Sequence, residues 1–245
     1  SENIKKFKPK EFCQKILNLH PNRIEGIIHT INDNISDRVD YSKVNSKLLF
    51  GSNKISEKIL NLNFEISMNS FFQTNPKSAE KLYSKVYKYI FEENISKNEV
   101  ILDLFCGTGT ITQIIASKNP KLKVIGVDII EDAIKNAIES TKINKIKNAS
   151  YFSGDVGKFL YKNPDLTNNI NSVILDPPRS GVSKKSLKKV IGLNSKKIIY
   201  VSCNPSTQSR DINFLEQNGY KMVKFSIIDQ FPHTYHIETI VLLEK

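Results

Sequence analysis

The sequence predicts an α/β fold in which a small β-rich N-terminal subdomain precedes a doubly wound, mostly parallel sheet of seven strands. From residue 100 onward, short apolar runs alternate with helix-like segments, which is typical of strand–helix–strand units. Before residue 75, apolar and polar residues alternate as in strands, and turns rich in Asn, Asp and Ser separate them. The length of 245 residues allows one large domain with a smaller appendage.

We place the domain boundary where the pattern changes. Residues 1–75 are predicted to form the small subdomain, with strands at 23–31 and 62–67. Residues 76–245 are predicted to form the large domain, which opens with a helix over residues 76–92. Apolar residues recur at helical spacing in that helix: Leu82, Val86, Tyr89 and Ile90.

The large domain is predicted to hold seven strands, at residues 100–105, 123–128, 149–152, 172–176, 197–202, 222–229 and 237–243. Its further helices are predicted at residues 111–116, 133–141 and 207–217. In open parallel sheets, ligands bind outside the carboxyl ends of the strands. We therefore expect one crevice, lined by the residues that end the strands: 103–107, Asp128, Asp155, Asp176 and Cys203.

The composition is ordinary for a globular protein, with 39% hydrophobic and 25% charged residues. No apolar run approaches the roughly 18 to 20 residues of a membrane span, and the first residues lack the layout of a secretory leader. The spacing of Cys13, Cys106 and Cys203 matches neither a disulfide framework nor a zinc-ligand pattern. We expect a cytoplasmic monomer with no membrane partner.

The net charge of +11 admits two interpretations. Lys and Arg release counterions from phosphates, so a basic surface favours a polyanionic partner. The chain also uses Asn, Ile and Lys heavily throughout, which accounts for the charge without any partner. Charge alone therefore leaves a nucleic-acid partner open.

A glycine-rich turn, DLFCGTGT at residues 103–110, follows the first strand of the large domain. Its glycines let the backbone approach a ligand closely, and the acid that ends the next strand, Asp128, suits a ribose diol. Nicotinamide dinucleotides and S-adenosylmethionine both carry such a diol. A dinucleotide site prefers a small residue three positions after Gly109, where this chain has Thr112. The sequence therefore favours S-adenosylmethionine.

Two more acids are candidates for the same site. Asp103, placed in the turn, suits a positively charged sulfonium or amino group better than a diphosphate. Asp155 follows the third strand, where it either hydrogen-bonds adenine or is a solvated loop residue. Cys106 in the turn is interpreted as a small packing residue.

Two further motifs end the fourth and fifth strands. In DPPRSG at 176–181, the two prolines predict a rigid, extended turn that directs side chains into the crevice. IIYVSCNPST at 198–207 places the Cys203 thiol on the neighbouring strand, where it is either a nucleophile or a small buried residue. A free thiol is only a few per cent ionised at neutral pH, so a nucleophile needs activation by a base, by Arg179 or by a helix N-terminus.

These motifs resemble those of the RNA 5-methyluridine methyltransferases. DPPRSG and IIYVSCNPST are joined by FFQTNP at 71–76, LDLFCGTGT at 102–110 and DQFPHTYHIET at 229–239, in the family's order. The resemblance extends from about residue 20 to the end of the chain. Residues 105–111 look more like the ribosomal-RNA branch than the transfer-RNA branch, so rRNA is the expected substrate.

The resemblance implies a class I, Rossmann-like methyltransferase fold and a reaction at carbon 5 of a uridine in RNA. Cys203 would add to carbon 6 of the base, and Glu238 would remove the proton from carbon 5. Arg179 or backbone N–H groups are candidates to stabilise the enolate oxygen. The cofactor-binding residues inferred from the turn and the resemblance are Gln73, Asp103, Phe105, Gly107, Asp128, Asp155 and Asp176.

The chain departs from the family in several ways. Neither the N-terminal RNA-binding barrel nor the four-cysteine iron–sulfur pattern of some members is recognisable, as expected of a shortened chain or a minimal member. The family's second-strand acid is often Glu, so Asp128 should reach less far toward the ribose. His233 and His236 give no complete ligand set, and no metal is predicted.

Three alternative functions stay open. An RNA 5-methylcytosine methyltransferase usually has another cysteine in the region of Pro178 and Arg179. A base N-methyltransferase with an Asp-Pro-Pro-aromatic turn needs no Cys203. A non-catalytic RNA-binding module with a methyltransferase fold has no need of Cys203 together with Glu238. Residues 1–75 are a candidate RNA contact in each case.

Overall fold

The computed structural model of this chain describes residues 7–31, 45–68, 70–92, 95–96, 99–164 and 169–245. Its N-terminal elements are helix α1 (Pro9–Leu19) and four strands, β1 (Gly26–Ile31), β2 (Asn45–Gly51), β3 (Lys54–Ile59) and β4 (Leu62–Ser67). They form two antiparallel pairs, β1 with β2 and β3 with β4.

The sequence predicted only part of this region. The strand over 62–67 is confirmed as β4, and β1 is shorter than the predicted 23–31 because residues 21–23 form a turn. α1, β2 and β3 were not predicted. The polar turn expected after residue 31 lies outside the described residues.

The large domain runs through α2 (Pro76–Ile90), β5 (Val100–Leu104), α3 (Thr110–Lys118), β6 (Lys123–Asp128), α4 (Glu131–Ile143) and β7 (Ala149–Ser153). It continues with α5 (Val156–Lys162), β8 (Ile170–Leu175), α6 (Lys184–Gly192), β9 (Lys197–Ser202), α7 (Pro205–Glu216), β10 (Lys221–Ile228) and β11 (Glu238–Glu244). All seven predicted strands are present, whereas α5 and α6 were not predicted.

The seven strands form one sheet in the order β10-β11-β9-β8-β5-β6-β7. Strands β5 to β9 are parallel, and β11 lies antiparallel between β9 and β10. The predicted doubly wound, mostly parallel sheet is thus confirmed. The chain leaves β5 toward β6 on one side and returns to β8 on the other, so the strand order reverses beside β5. Such a switch point is where an open α/β sheet forms its ligand crevice.

Two hydrophobic cores cover the two faces of the sheet. Helices α2 and α3 pack on one face, and helices α5, α6 and α7 pack on the other. The residues of β5 alternate between the two faces: Ile101 belongs to the first core, and Leu102 and Leu104 belong to the second. The intervening Asp103 is therefore directed toward the α2 and α3 side.

The hairpin β3–β4 shares the first core with the large domain. Ile59 and Phe64 pack with residues of α2 and α3, and the backbone N–H of Glu65 donates to the Ser140 hydroxyl of α4. Packing is therefore continuous across residue 75, and the division of the chain into domains at that point stays a prediction. In the part of the chain that the structure describes, no helix combines the length and apolar character needed to cross a membrane.

Candidate active site

A cavity of about 550 Å³ opens at the carboxyl ends of β5, β6, β8 and β9, beside the start of β11. This is the crevice that the strand order implies. Eight of the nine residues singled out in the sequence line it: Gln73, Asp103, Phe105, Gly107, Asp128, Asp176, Cys203 and Glu238.

Asp128 fastens the glycine-rich turn to the end of β6. One carboxylate oxygen accepts a hydrogen bond from the backbone N–H of Gly107 at 2.9 Å, and the other accepts from the N–H of Ile130 at 2.8 Å. A carboxylate oxygen has a second lone pair, so both remain able to accept from ribose hydroxyls. Phe105 in the turn has a φ of 71°, a left-handed value that is uncommon outside glycine and concentrates at functional sites.

Asp103 is not in the turn, where the sequence analysis placed it. It lies within β5, which continues to Leu104, and its side chain is fully buried. The Thr112 hydroxyl of α3 donates to Oδ2 at 2.6 Å, while Oδ1 accepts no hydrogen bond from the described residues. Burial raises the pKa of Asp103 to about 7. A buried carboxyl with a free acceptor suits a cationic ligand group.

Gln73 reaches the cavity because two distant motifs bind each other. The Asn75 side chain donates to the Gln230 carbonyl, and the Gln230 side chain donates to the Asn75 carbonyl, both at 3.2 Å. The Ser78 hydroxyl also donates to the carbonyl of Asp229. The side-chain oxygen of Gln73 is buried and, like Asp103 Oδ1, has no partner among the described residues. Two such acceptors fit the ammonium and sulfonium charges of S-adenosylmethionine.

Asp155 does not line the cavity. It is exposed and caps α5, where its Oδ1 accepts from the backbone N–H of Lys158 at 2.8 Å. Of the two roles weighed for this residue, the structure therefore shows a local one, that of an N-cap. Its contact with adenine stays a prediction.

Cys203 directly follows β9, and Glu238 is the first residue of β11, the antiparallel neighbour of β9. Thr239 of β11 pairs with Ser202 of β9, and continuing this register by one residue places Glu238 across from Cys203. Side chains opposite each other in such a pair share one face of the sheet. The thiol and the carboxyl therefore meet at the same wall of the cavity.

The ionisable groups of this wall hold protons more tightly than usual. Burial raises the pKa of Glu238 to about 7. Burial, together with Glu238, Asp103 and Asp128, raises the pKa of Asp176 to about 8. The pKa of Cys203 is also raised, first by burial and then by Glu238 and Asp176, while Arg179 pulls it down. The expected activation by Arg179 is therefore outweighed in the structure.

The sequence model of the tRNA (uracil-5-)-methyltransferase family matches residues 34–245. This match covers most of the chain. The chain belongs to this family.

The chain is also similar in sequence to individual RNA methyltransferases. An uncharacterized RNA methyltransferase of Clostridium acetobutylicum is 46% identical over 222 residues, 91% of this chain and 46% of that protein. One of Clostridium tetani is also 46% identical, over 90% of this chain and 46% of its own length. The chain thus spans about half the length of these curated relatives.

A solved structure is similar over the same extent. The Pyrococcus abyssi tRNA (uracil-54, C5)-methyltransferase, in complex with S-adenosyl-L-homocysteine, has a TM-score of 0.73 at 31% identity. The match covers 90% of this chain and 51% of that one. The class I methyltransferase fold implied by the sequence is therefore confirmed.

Several residues that line the cavity of this family member were not anticipated. Ile129 and Ile130 follow Asp128 and are 67% and 48% exposed, and Phe71 is 72% exposed. Exposed apolar side chains at a cavity mouth suit the flat faces of bases. The sequence feature that could have indicated Ile129 and Ile130 is that they form an apolar pair directly after Asp128, the acid that ends β6.

Proposed function

We propose that this chain transfers a methyl group from S-adenosylmethionine to carbon 5 of a uridine in RNA, with Cys203 as nucleophile and Glu238 as base. The observation that carries the proposal is that Cys203, directly after β9, and Glu238, at the start of the neighbouring strand β11, both line a cavity lined by acids. Carbon 5 of uracil is a poor nucleophile, and thiol addition followed by proton removal is the chemistry that a Cys and Glu pair can perform.

The residues at the end of β5 and β6 would hold the cofactor. Asp128 would accept from the ribose hydroxyls, and the unpartnered oxygens of Gln73 and Asp103 would accept from the amino group. Bound S-adenosylmethionine supplies an electrophilic methyl group on a sulfonium centre. Asp176 lines the same cavity, and a cationic ligand there would stabilise its ionised form.

The protein's part in the reaction follows from the remaining groups. The Cys203 thiolate forms a bond to carbon 6, and the electron pair of the C5–C6 double bond moves to carbon 5 and the carbonyl oxygen. Arg179 lines the cavity and is a candidate donor to that oxygen. After carbon 5 is methylated, Glu238 takes its proton, the double bond re-forms and the C6–S bond breaks. A carboxyl whose pKa is about 7 is well matched to this proton transfer near neutral pH.

RNA contact is proposed for the N-terminal elements. A second cavity of about 650 Å³ lies between β1–β2 and α4, and its lining includes Asn45, Asn53 and Asn136. Met68 borders this cavity and Phe71 borders the first, so a short segment separates the two. Amide side chains read base edges, which supports a place here for nucleotides beside the target uridine. The net charge of +11 supports the same partner.

We further propose rRNA as the substrate, on the resemblance of residues 105–111, and a cytoplasmic monomer as the acting form. Transfer RNA is the alternative, and the names of the family and of the Pyrococcus abyssi enzyme favour it. Mapping 5-methyluridine in the rRNA and tRNA of a strain that lacks the protein distinguishes the two.

The central test is trapping of the adduct. An RNA that carries 5-fluorouridine should form a denaturation-resistant complex with the wild-type chain and S-adenosylmethionine, because fluorine cannot leave carbon 5 as a proton does. Cys203→Ala should abolish the complex, while Cys13→Ala, which removes a buried cysteine of α1, should not. Trapping by 5-fluorocytidine RNA instead would favour the 5-methylcytosine alternative. No adduct with either RNA would reject the covalent mechanism.

A further inference from the structure

The start of α7 holds the turn that carries Arg179. Cys203 comes immediately before Asn204, the N-cap of α7. The side chains of Asn204 and Thr207 both donate to the backbone carbonyl of Arg179, each at 3.0 Å. The backbone of Arg179 is thereby tied to the helix whose N-cap directly follows Cys203.

Asp211, one turn further along α7, holds the rest of the turn. Its side chain is 2% exposed, and its Oδ2 accepts from the backbone N–H of Val182 and from the hydroxyl of Tyr200, both at 2.7 Å. Its Oδ1 accepts from Nε of Arg210 at 2.8 Å. Arg210 in turn donates to the carbonyl of Ser180 at 3.0 Å. Charge-assisted hydrogen bonds of this kind fix a geometry strongly.

Gly181 shows how closely the turn and the helix approach. Its φ is +74°, and a Cβ atom at this position would lie 2.5 Å from Oδ2 of Asp211 and 2.7 Å from Nη2 of Arg210. No side chain fits between them. Each residue from 179 to 182 therefore touches α7, by a hydrogen bond or by this close approach.

We propose that Asp211 is a positioning residue, which clamps the turn 179–182 onto α7 and so fixes Arg179 relative to Cys203. The inference rests on the proposed function in assigning Cys203 as the nucleophile. The clamp gives Asn204 and Thr207, which follow the cysteine in the IIYVSCNPST motif, a role in holding the turn. Asp211 does not line the cavity and touches no reacting atom, so it would act only through the turn.

The first test measures the thiol without RNA. The charged groups that act on Cys203 are Glu238 and Asp176, which oppose its ionisation, and Arg179, which favours it. Asp211→Asn should loosen Arg179 and move the pH midpoint of Cys203 alkylation upward. We expect a shift on the order of 0.5 pH unit, or roughly a threefold loss of thiolate at fixed pH. Peptide mass spectrometry separates Cys203 from the other two cysteines.

Two other variants complete this test. Arg210→Gln alters a side chain that is 53% exposed, so the fold is retained, and it should shift the midpoint in the same direction by a smaller amount. Glu216→Gln makes the matched acid-to-amide change at an exposed residue of the same helix, away from the clamp, and should leave the midpoint unchanged. An Asp211→Asn profile that superimposes on the wild-type one overturns the proposal. If Asp211→Asn does not fold, an unchanged Arg210→Gln profile overturns it.

The second test follows the reaction. With 5-fluorouridine RNA, Asp211→Asn should form the adduct roughly 10- to 100-fold more slowly, as expected when a reacting group is misplaced by about 1 Å. Its affinity for S-adenosylmethionine should stay at the wild-type value, because β5 and β6 carry most of the cofactor site. Equal adduct rates in the two proteins refute the clamp. If the wild-type chain forms no adduct, the proposed function fails, and the alkylation profiles still decide the clamp.

Discussion

Replacing Asp103 with Asn is expected to remove a pH dependence from the folding equilibrium. Burial raises the pKa of Asp103 from an ordinary value of 3.8 to about 7 in the native chain, and unfolding restores the ordinary value. Between these values the native chain binds more protons than the unfolded chain. Its free energy of unfolding therefore falls as the pH rises from about 4 to about 7.

The size of the effect follows from the shift. Roughly three pKa units, at about 1.4 kcal/mol each, correspond to about 4 kcal/mol. Asp103 is fully buried, so little screening by solvent reduces this figure. An Asn side chain can still accept from the Thr112 hydroxyl, but it does not titrate. Between about pH 4 and about pH 8, the free energy of unfolding of Asp103→Asn should rise by on the order of 4 kcal/mol relative to that of the wild-type chain.

Urea unfolding of both proteins at about pH 4, 6 and 8 and constant ionic strength measures this difference. Asp155→Asn is the matched control, since it changes an exposed aspartate in the same way and should follow the wild-type curve. Parallel pH curves for Asp103→Asn and the wild-type chain would refute the electrostatic reasoning. The same substitution should weaken binding of S-adenosylmethionine most above about pH 7, where Asp103 is ionised. Isothermal titration calorimetry provides that second measurement.

Three further predictions concern the reaction, the turn and the partner. Glu238→Gln should lower multiple-turnover product release by roughly 10²- to 10⁴-fold and accumulate the methylated covalent complex, seen on denaturing gels; normal turnover would exclude Glu238 as the base. Gly109→Ala should lower the free energy of unfolding by about 1 to 3 kcal/mol, because its φ is +73° and a Cβ atom would lie 2.6 Å from the Tyr151 ring; unchanged urea unfolding would contradict this. RNA affinity should fall at least tenfold between about 50 and 200 mM salt in filter binding, and a flat response would mean that phosphate contacts contribute little.

The centre of the sheet could be predicted because strands such as β5, β8 and β9 are nearly continuous buried runs. All six residues of β9 are buried, and the run ends at polar residues, so its limits 197–202 are visible in the sequence. β2 offers no such contrast, because nearly all of its residues are exposed and no face alternates. α6, with the sequence KKSLKKVIG, buries only Leu187 and Val190, which is too weak a stripe in a short lysine-rich segment.

The candidate site was predictable as a set of residues but not as an electrostatic environment. Strand-end motifs indicate that Asp176 and Cys203 meet, because topology brings strand ends to one edge. Glu238 was assigned to the same site only through the family resemblance. The raised pKa values of these three residues depend on how deeply α2, the 71–76 segment and β11 bury them, which no local pattern encodes. Asp155 also ends a strand, but it caps α5 and does not line the cavity, so its contact with adenine stays a prediction.

The protonation states of Glu238 and Asp176 couple the cofactor to the nucleophile. Ionised Glu238 and Asp176 both oppose formation of the Cys203 thiolate, so a cation that lies between these groups should lower the thiol pKa. S-adenosylmethionine carries a sulfonium charge that S-adenosylhomocysteine lacks, while the two are otherwise nearly identical in shape. Alkylation of Cys203 near neutral pH should therefore be faster with S-adenosylmethionine bound than with S-adenosylhomocysteine bound. Equal rates would mean that the sulfonium does not act on the thiol, and that activation of Cys203 comes from the RNA or from Arg179 alone.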